Sequence, residues 1–338
     1  MSQKEVQNVV VLGAGAWGTA LAIHLSRSGQ SVSLWAHSEV HTQSLMQERK
    51  NQKYLPQVHF PDSLRVVSDL ASSLESADAI LVVVPSHVFR QALSQVSDMV
   101  DVSKKHIAWA TKGFEPESKK LLHEIARQEL CKDCHYTVLS GPTFAAEVAK
   151  GLPTAMVSAS TDEQEAAYWA SLFHHDAFRM YTQGDIAGVE VGGAYKNIMA
   201  IATGVSDGLH LGANARAAII SRGMAEMMRF AGLYGATPET LMGLAGLGDL
   251  VLTCTDNLSR NRQFGLKLAS PKQTSESAQQ EIGQVVEGVK AVRVVKAIAD
   301  EKGLDLPIAE QVYQLVEGNI TAKEAAEHLL ARELKAES

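Results

Sequence analysis

Two patterns of apolar residues divide this chain. Through the first half, short runs of apolar and β-branched residues recur between polar or glycine-rich turns, at residues 9–12, 31–35, 79–84, 107–110, 136–139, 154–158 and 178–181. Between several of these runs the apolar spacing lengthens to that of an amphipathic helix, as at 19–26 and 119–129. Strands alternating with helices predict a mostly parallel sheet covered on both faces. After Asp185 the strand-like runs stop. Residues 187–205, 214–234, 238–245, 284–301, 309–317 and 322–334 carry apolar positions at helical spacing, and Thr321 followed by Glu324 reads as a capping box for the last of them. Residues 271–280 are polar and turn-rich and predict an exposed loop. The pattern therefore predicts an α/β N-terminal domain over 1–187 and an all-α C-terminal domain over 188–338.

The first strand hands over to a glycine turn, Leu12-Gly13-Ala14-Gly15-Ala16-Trp17-Gly18-Thr19. Gly13 allows the tight turn, Gly15 lets backbone approach a pyrophosphate, and Gly18 lets the helix pack close on the strand. The helix then aims its free N–H groups and positive dipole end at the anion, and Ser28-Gly29 supplies its stop. With this turn the first domain reads as Rossmann-type, a site for NADP(H) and/or NAD(H).

Ligands of such sheets bind beyond the carboxyl ends of the strands. Small, polar or cationic residues recur there: Ala36-His37, Pro85-Ser86-His87, Thr111-Lys112-Gly113 and Ser140-Gly141-Pro142-Thr143. The second strand ends without the carboxylate that holds a ribose 2′-OH in NAD-specific sites. His37 stands there instead, which favours NADP(H), or both cofactors, over NAD(H) alone. Lys112, between a strand and a glycine, is a cation placed to reach a phosphate or a carbonyl.

In the helical half, Gly192-Gly193 precedes Lys196 on an otherwise apolar stretch. Two glycines weaken a helix and so imply close approach of backbone or ligand. A partly desolvated lysine is suited to general acid or base work. Asp249, in Gly246-Leu247-Gly248-Asp249-Leu250, is the partner available to it, with Thr253 one turn later. Ser259-Arg260-Asn261-Arg262 sets donors and two guanidinium groups in a row, chemistry that suits a phosphate.

Charge and cysteine content narrow the partners. A net charge of −7 argues against nucleic acid and anionic membrane surfaces. No apolar run is long enough to span a membrane, and the first residues carry no apolar signal core, so a cytoplasmic protein is expected. Cys131, Cys134 and Cys254 build no disulfide framework and no zinc site, and Cys131 and Cys134 are expected as reduced, incidental thiols.

Taken together, the turn through Gly13, Trp17 and Gly18, with Pro85-Ser86-His87, Thr111-Lys112-Gly113, Ser140-Gly141-Pro142-Thr143-Phe144-Ala145, Tyr195-Lys196-Asn197, Gly246-Leu247-Gly248-Asp249-Leu250 and Ser259-Arg260-Asn261-Arg262, resembles NAD(P)-dependent glycerol-3-phosphate dehydrogenases of the bacterial biosynthetic type. The resemblance spans residues 9 to 320, and no matched functional position departs from it. It implies reversible reduction of dihydroxyacetone phosphate, a phosphorylated triose, to sn-glycerol 3-phosphate for phospholipid synthesis. It implies Lys196 as the proton carrier, with Asp249 and Lys112 beside it in catalysis. Lys112, Gly141, Thr143, Lys196, Asp249, Thr253, Ser259, Arg260 and Asn261 match positions that contact substrate. Gly13, Gly15, Ala16, Trp17, Gly18, His37, Tyr54, Lys112, Ala145, Val285 and Glu287 match positions that contact cofactor, and Arg260 matches both sets. The apolar helical half is suited to a homodimer. Two rivals remain: another two-domain hydroxyacid or ketoacid reductase, and a non-catalytic NAD(P)-binding redox sensor.

Overall fold

A computed structural model describes residues 5–131 and 134–330. The chain forms two compact units, Met1–Glu190 and Val191–Ser338. Their border lies inside a long helix, Ile186–Gly208, against the border expected after residue 187.

Among the described residues the first unit is built on ten strands: β1 (Asn8–Leu12), β2 (Ser31–Trp35), β3 (Lys50–Asn51), β4 (Leu55–His59), β5 (Arg65–Val67), β6 (Ala79–Val82), β7 (His106–Trp109), β8 (Tyr136–Ser140), β9 (Thr154–Ala159) and β10 (Phe178–Gln183). Eight of them form one sheet in the order β10-β9-β8-β7-β6-β1-β2-β5. Every neighbouring pair is parallel except β8 with β9. β1 sits between β2 and β6, with Val10 opposite Ser33 on one side and Ile80 on the other. The strand order therefore reverses at β1, and the crevice beyond its carboxyl end is where such sheets take ligands. Val9, Val11, Leu34, Leu81 and Ala108 are fully buried, as a sheet covered on both faces requires.

All seven strands expected from the sequence are present. β3 and β4 pair apart from the sheet, and β5 closes its edge. β3 and β5 are only two and three residues long, and β4, Leu55-Pro56-Gln57-Val58-His59, breaks its apolar positions with proline and polar residues, so no apolar run marks them.

On the Ala16–Arg27 helix, His24 is 7% exposed, lies flat against Phe178 and donates through Nε2 to the Phe173 carbonyl at 2.7 Å. Burial pushes its pKa from 6.5 down to about 4. The fold binds the neutral ring, so this stability is present above pH 6.5 and is lost as pH falls through about 4. The loss is on the order of 3 kcal/mol. Melting followed through this window should show the decline, and His24→Gln, which cannot ionise, should flatten it. An equal slope in the variant would remove His24 as the cause.

The second unit is helical throughout its described residues. The structure forms helices Gly212–Gly232, Pro238–Leu241, Asp249–Thr255, Arg260–Leu268, Ser275–Ile282, Glu287–Lys302, Pro307–Val316 and Ala322–Leu330, with a π-helical turn at Leu244–Gly248. The expected capping box is made: Glu324 N–H donates to Thr321 Oγ1, and the Glu324 carboxylate accepts from Thr321 N–H. The expected extension of this helix over 331–334 lies outside the described residues. Among the described residues no helix is long and apolar enough to cross a membrane.

Two expectations need correction. The segment expected as a loop at 271–280 contains much of the Ser275–Ile282 helix. Thr274 Oγ1 accepts the Ser277 N–H at 3.1 Å, and Gly283, at φ +64°, closes the helix. Polar capping residues at its start made the segment read as a turn. Cys131 and Cys134, expected as reduced thiols, form a disulfide. Cys134 N–H donates to Cys131 O, and their Cα atoms lie 5.2 Å apart, within bridging range.

Candidate active site

In the first unit the glycine turn forms a cradle at the end of β1. Gly13 has φ +113°, and a Cβ there would lie 2.3 Å from the Val83 carbonyl oxygen. A Cβ on Gly18 would lie 1.9 Å from the Gly13 oxygen. Gly15 behaves differently: a Cβ there would meet nothing within 4 Å. The Ala16–Arg27 helix starts after Gly15 with no side-chain cap, so its first N–H groups remain available to an anion. The buried indole N–H of Trp17 has no protein partner. An open glycine, uncapped amides and an orphaned donor fit a dinucleotide.

Two residues not singled out from the sequence support the cradle. Asn51 Nδ2 donates to Ala14 O at 2.9 Å and Thr19 Oγ1 at 2.8 Å. His41 Nε2 lies 3.2 Å from Ala14 O, and its ring meets Tyr54 edge-on at 5.6 Å. Tyr54 is thereby held beside the turn. Ala145 packs with Trp17 against the same apolar core. His37 is exposed at the end of β2, with its ring edge-on to Trp35.

Lys112, Gly141 and Thr143 are brought together as expected. Lys112 Nζ donates to the Gly141 carbonyl at 3.2 Å, and Thr143 Oγ1 donates to the same oxygen at 3.3 Å. Thr111 Oγ1, donating to Val84 O at 2.8 Å, pins the segment before the lysine.

In the second unit Lys196 projects from the Ile186–Gly208 helix and is 7% exposed. Its ammonium pairs with the fully buried Asp249 carboxylate and donates to Thr253 Oγ1 at 3.0 Å. The Thr253 hydroxyl in turn donates to Asp249 O at 2.6 Å. A buried ammonium needs such partners, because desolvation costs several kcal/mol unless charge and hydrogen bonds repay it. Gly192 makes the approach possible: a Cβ there would lie 2.6 Å from the Ala245 oxygen, in the turn leading to Asp249.

The polar stretch after Leu258 divides by role. Ser259 caps its helix by accepting the Arg262 N–H. Asn261 accepts the Gly288 N–H at 2.9 Å and donates to Asn197 Oδ1 at 2.8 Å, tying itself to the residue after Lys196. Arg260 Nη1 donates to Gln284 Oε1 at 3.0 Å, next to Val285 and Glu287. Burial pushes the Glu287 carboxyl up, with Lys290 and Arg260 opposing. Arg262 is spent on the fold: it is buried, donates to Cys254 O and Asn257, and pairs with Asp207. Asn197, read in the sequence only as part of Tyr195-Lys196-Asn197, and Gln284, not singled out there, are the partners the fold gives Asn261 and Arg260.

With a pyrophosphate cradle on one unit and a desolvated lysine on the other, the chain falls in the class of two-unit nicotinamide-dependent dehydrogenases. Residues 8–166 match the family described as NAD-dependent glycerol-3-phosphate dehydrogenase N-terminus, and residues 185–327 match its C-terminus. A glycerol-3-phosphate dehydrogenase (NAD(P)+) of Hydrogenovibrio crunogenus is 61% identical over 331 residues, 97% of this chain and 96% of that protein. The crystal structure of a glycerol-3-phosphate dehydrogenase from Coxiella burnetii has a TM-score of 0.92 at 45% identity, covering 97% of this chain and 99% of that one. A ketopantoate reductase from Ralstonia eutropha, at 16% identity and a TM-score of 0.59, covers 94% of this chain and 99% of its own and shares the fold. The chain belongs to the NAD-dependent glycerol-3-phosphate dehydrogenase family.

Proposed function

We propose that this chain reduces dihydroxyacetone phosphate reversibly to sn-glycerol 3-phosphate, with NADPH or NADH, for glycerophospholipid synthesis in the cytoplasm. The observation that carries this reading is the buried Lys196–Asp249–Thr253 cluster in a member of this family. Bound nicotinamide supplies the hydride chemistry. Gly13, Gly15, Ala16 and Gly18 hold the pyrophosphate, with Trp17, Tyr54, Ala145, Val285 and Glu287 contributing to cofactor binding. His37 stands where a carboxylate would repel a 2′-phosphate, which favours NADPH, or both cofactors, over NADH alone.

Charge that develops on the carbonyl oxygen is met by Lys196, which stabilises it and gives up a proton. Asp249 and Thr253 aim the ammonium. Lys112, Gly141 and Thr143 form the substrate surface of the first unit. Ser259, Arg260 and Asn261 form that of the second, with Arg260 on the phosphate. A homodimer through the helical unit is the proposed assembly, supported by apolar residues left open such as Leu211, at 42% exposure.

Loss of reduced-nicotinamide absorbance with dihydroxyacetone phosphate, NADPH and NADH being run in parallel, tests the reading. Turnover should be rapid with the phosphorylated ketone and absent with dihydroxyacetone. Turnover of non-phosphorylated oxoacids instead would favour the ketoacid reductase. Cofactor binding without turnover of any ketone would favour the redox sensor.

A further inference from the structure

A second buried carboxylate lies next to the catalytic lysine's neighbour in sequence. Glu226, on the Gly212–Gly232 helix, is 1% exposed. Its Oε1 accepts the Ile308 N–H at 2.7 Å, and its Oε2 accepts the Ala309 N–H at 3.2 Å and the Tyr195 hydroxyl at 3.2 Å. Ile308 and Ala309 open the Pro307–Val316 helix, where N–H groups lack intrahelical partners and the dipole favours an anion. One carboxylate thus joins three helices. Tyr195, fully buried and packed on Phe230, immediately precedes Lys196.

We propose that Glu226 is a positioning residue for Lys196: by holding the Tyr195 hydroxyl against the capped Pro307–Val316 helix, it sets the rotation of the helix that presents the ammonium. The proposal rests on Lys196 being the proton donor. Consecutive helical side chains lie about 100° apart, so anchoring one flank of the helix fixes the direction of the next side chain. The same helix already abuts the backbone at Gly192, so its remaining freedom on that side is roll rather than translation. Lys196 must hold both Asp249 and Thr253, and a small roll breaks one of those bonds.

Protonation offers a readout. Burial pushes the Glu226 carboxyl up to about 6, while the Ile308 and Ala309 N–H groups, the Tyr195 hydroxyl and the charge of Arg229 pull it down. The groups facing it are therefore Tyr195 from the Lys196 helix, Arg229 from its own helix, and backbone N–H groups from Pro307–Val316. A protonated Glu226 turns one acceptor oxygen into a donor and loosens this network. A carboxyl raised in this way favours the folded state when protonated, and that contribution is lost as pH rises through about 6. A fall in kcat below pH 6 from this group would therefore run opposite to its effect on stability, which separates positioning from unfolding.

The experiment is kcat and KM against pH for the unaltered enzyme, Glu226→Gln, Tyr195→Phe and Lys196→Ala. In the unaltered enzyme kcat should fall below pH about 6. Glu226→Gln should lose that limb and run about tenfold slower above it, with both KM values within about twofold. Tyr195→Phe removes the hydroxyl through which Glu226 acts, so it should lose the limb as well and run slower above it. A retained limb with kcat within about twofold in Glu226→Gln, or a change confined to KM, overturns the proposal. If Glu226→Gln fails to fold, Tyr195→Phe decides, and a retained limb overturns it. Lys196→Ala that stays active refutes the lysine's role; inactive Lys196→Ala beside an unchanged Glu226→Gln limb refutes the positioning alone.

Discussion

Lys196→Ala should lower kcat about 100- to 10,000-fold, the range spanned by loss of a positioned general acid. The ammonium is desolvated and held by Asp249 and Thr253, and among the described residues Asp249 has no exposure of its own. The variant therefore carries a second consequence that sequence reasoning did not anticipate. It leaves a carboxylate buried without its counter-charge, a change that costs about 3–5 kcal/mol. Lower activity and lower melting temperature should appear together. The double variant Lys196→Met with Asp249→Asn removes both charges. It should recover much of the stability and none of the turnover, measured as single-turnover oxidation of bound NADPH. A kcat within a few-fold of the unaltered enzyme, in a folded protein, would assign the proton to another group.

Arg260→Ala should raise the KM for dihydroxyacetone phosphate about 10- to 100-fold, with a smaller change in kcat, since a charged hydrogen bond contributes about 1.5–3 kcal/mol. Arg260 is held by Gln284 and lies against Glu287, and it opposes the burial that raises the Glu287 carboxyl. Removing it should weaken cofactor binding as well, though less, if Glu287 contacts the cofactor. Arg260→Lys should recover only part of the loss, because a point charge replaces a planar fork. Inhibition by inorganic phosphate should weaken in parallel with the KM. An unchanged KM would place the substrate phosphate on another residue. Arg262, two positions on, makes the contrast: it is committed to Cys254, Asn257 and Asp207, so Arg262→Ala should show chiefly as lost stability.

Several features of this protein are written locally. The glycine turn is legible because each glycine answers a constraint a few residues away: Gly18 must pass the Gly13 oxygen, and Gly13 must turn with φ +113°. The seven expected strands and the change to helical spacing after Asp185 are legible because buried strands and half-buried helices impose different periods on neighbouring residues. The capping box at Thr321 and Glu324 is equally local.

Tertiary structure alone decided what joins residues distant in the chain. Asn261 meets Asn197 across 64 residues and Glu226 meets Ile308 across 82, whereas the Lys196–Asp249 pair, across 53, is expected from the chemistry of the two residues. No periodicity records such pairings, because they depend on which helix faces land together. For the same reason Ser259-Arg260-Asn261-Arg262 reads as one polar run, whereas the fold turns Arg262 inward to Asp207 and sets Arg260 beside Gln284. The strands β3, β4 and β5 bury too few side chains to leave a pattern. The Cys131–Cys134 bond joins two Cα atoms 5.2 Å apart, a distance that spacing in the chain permits without requiring.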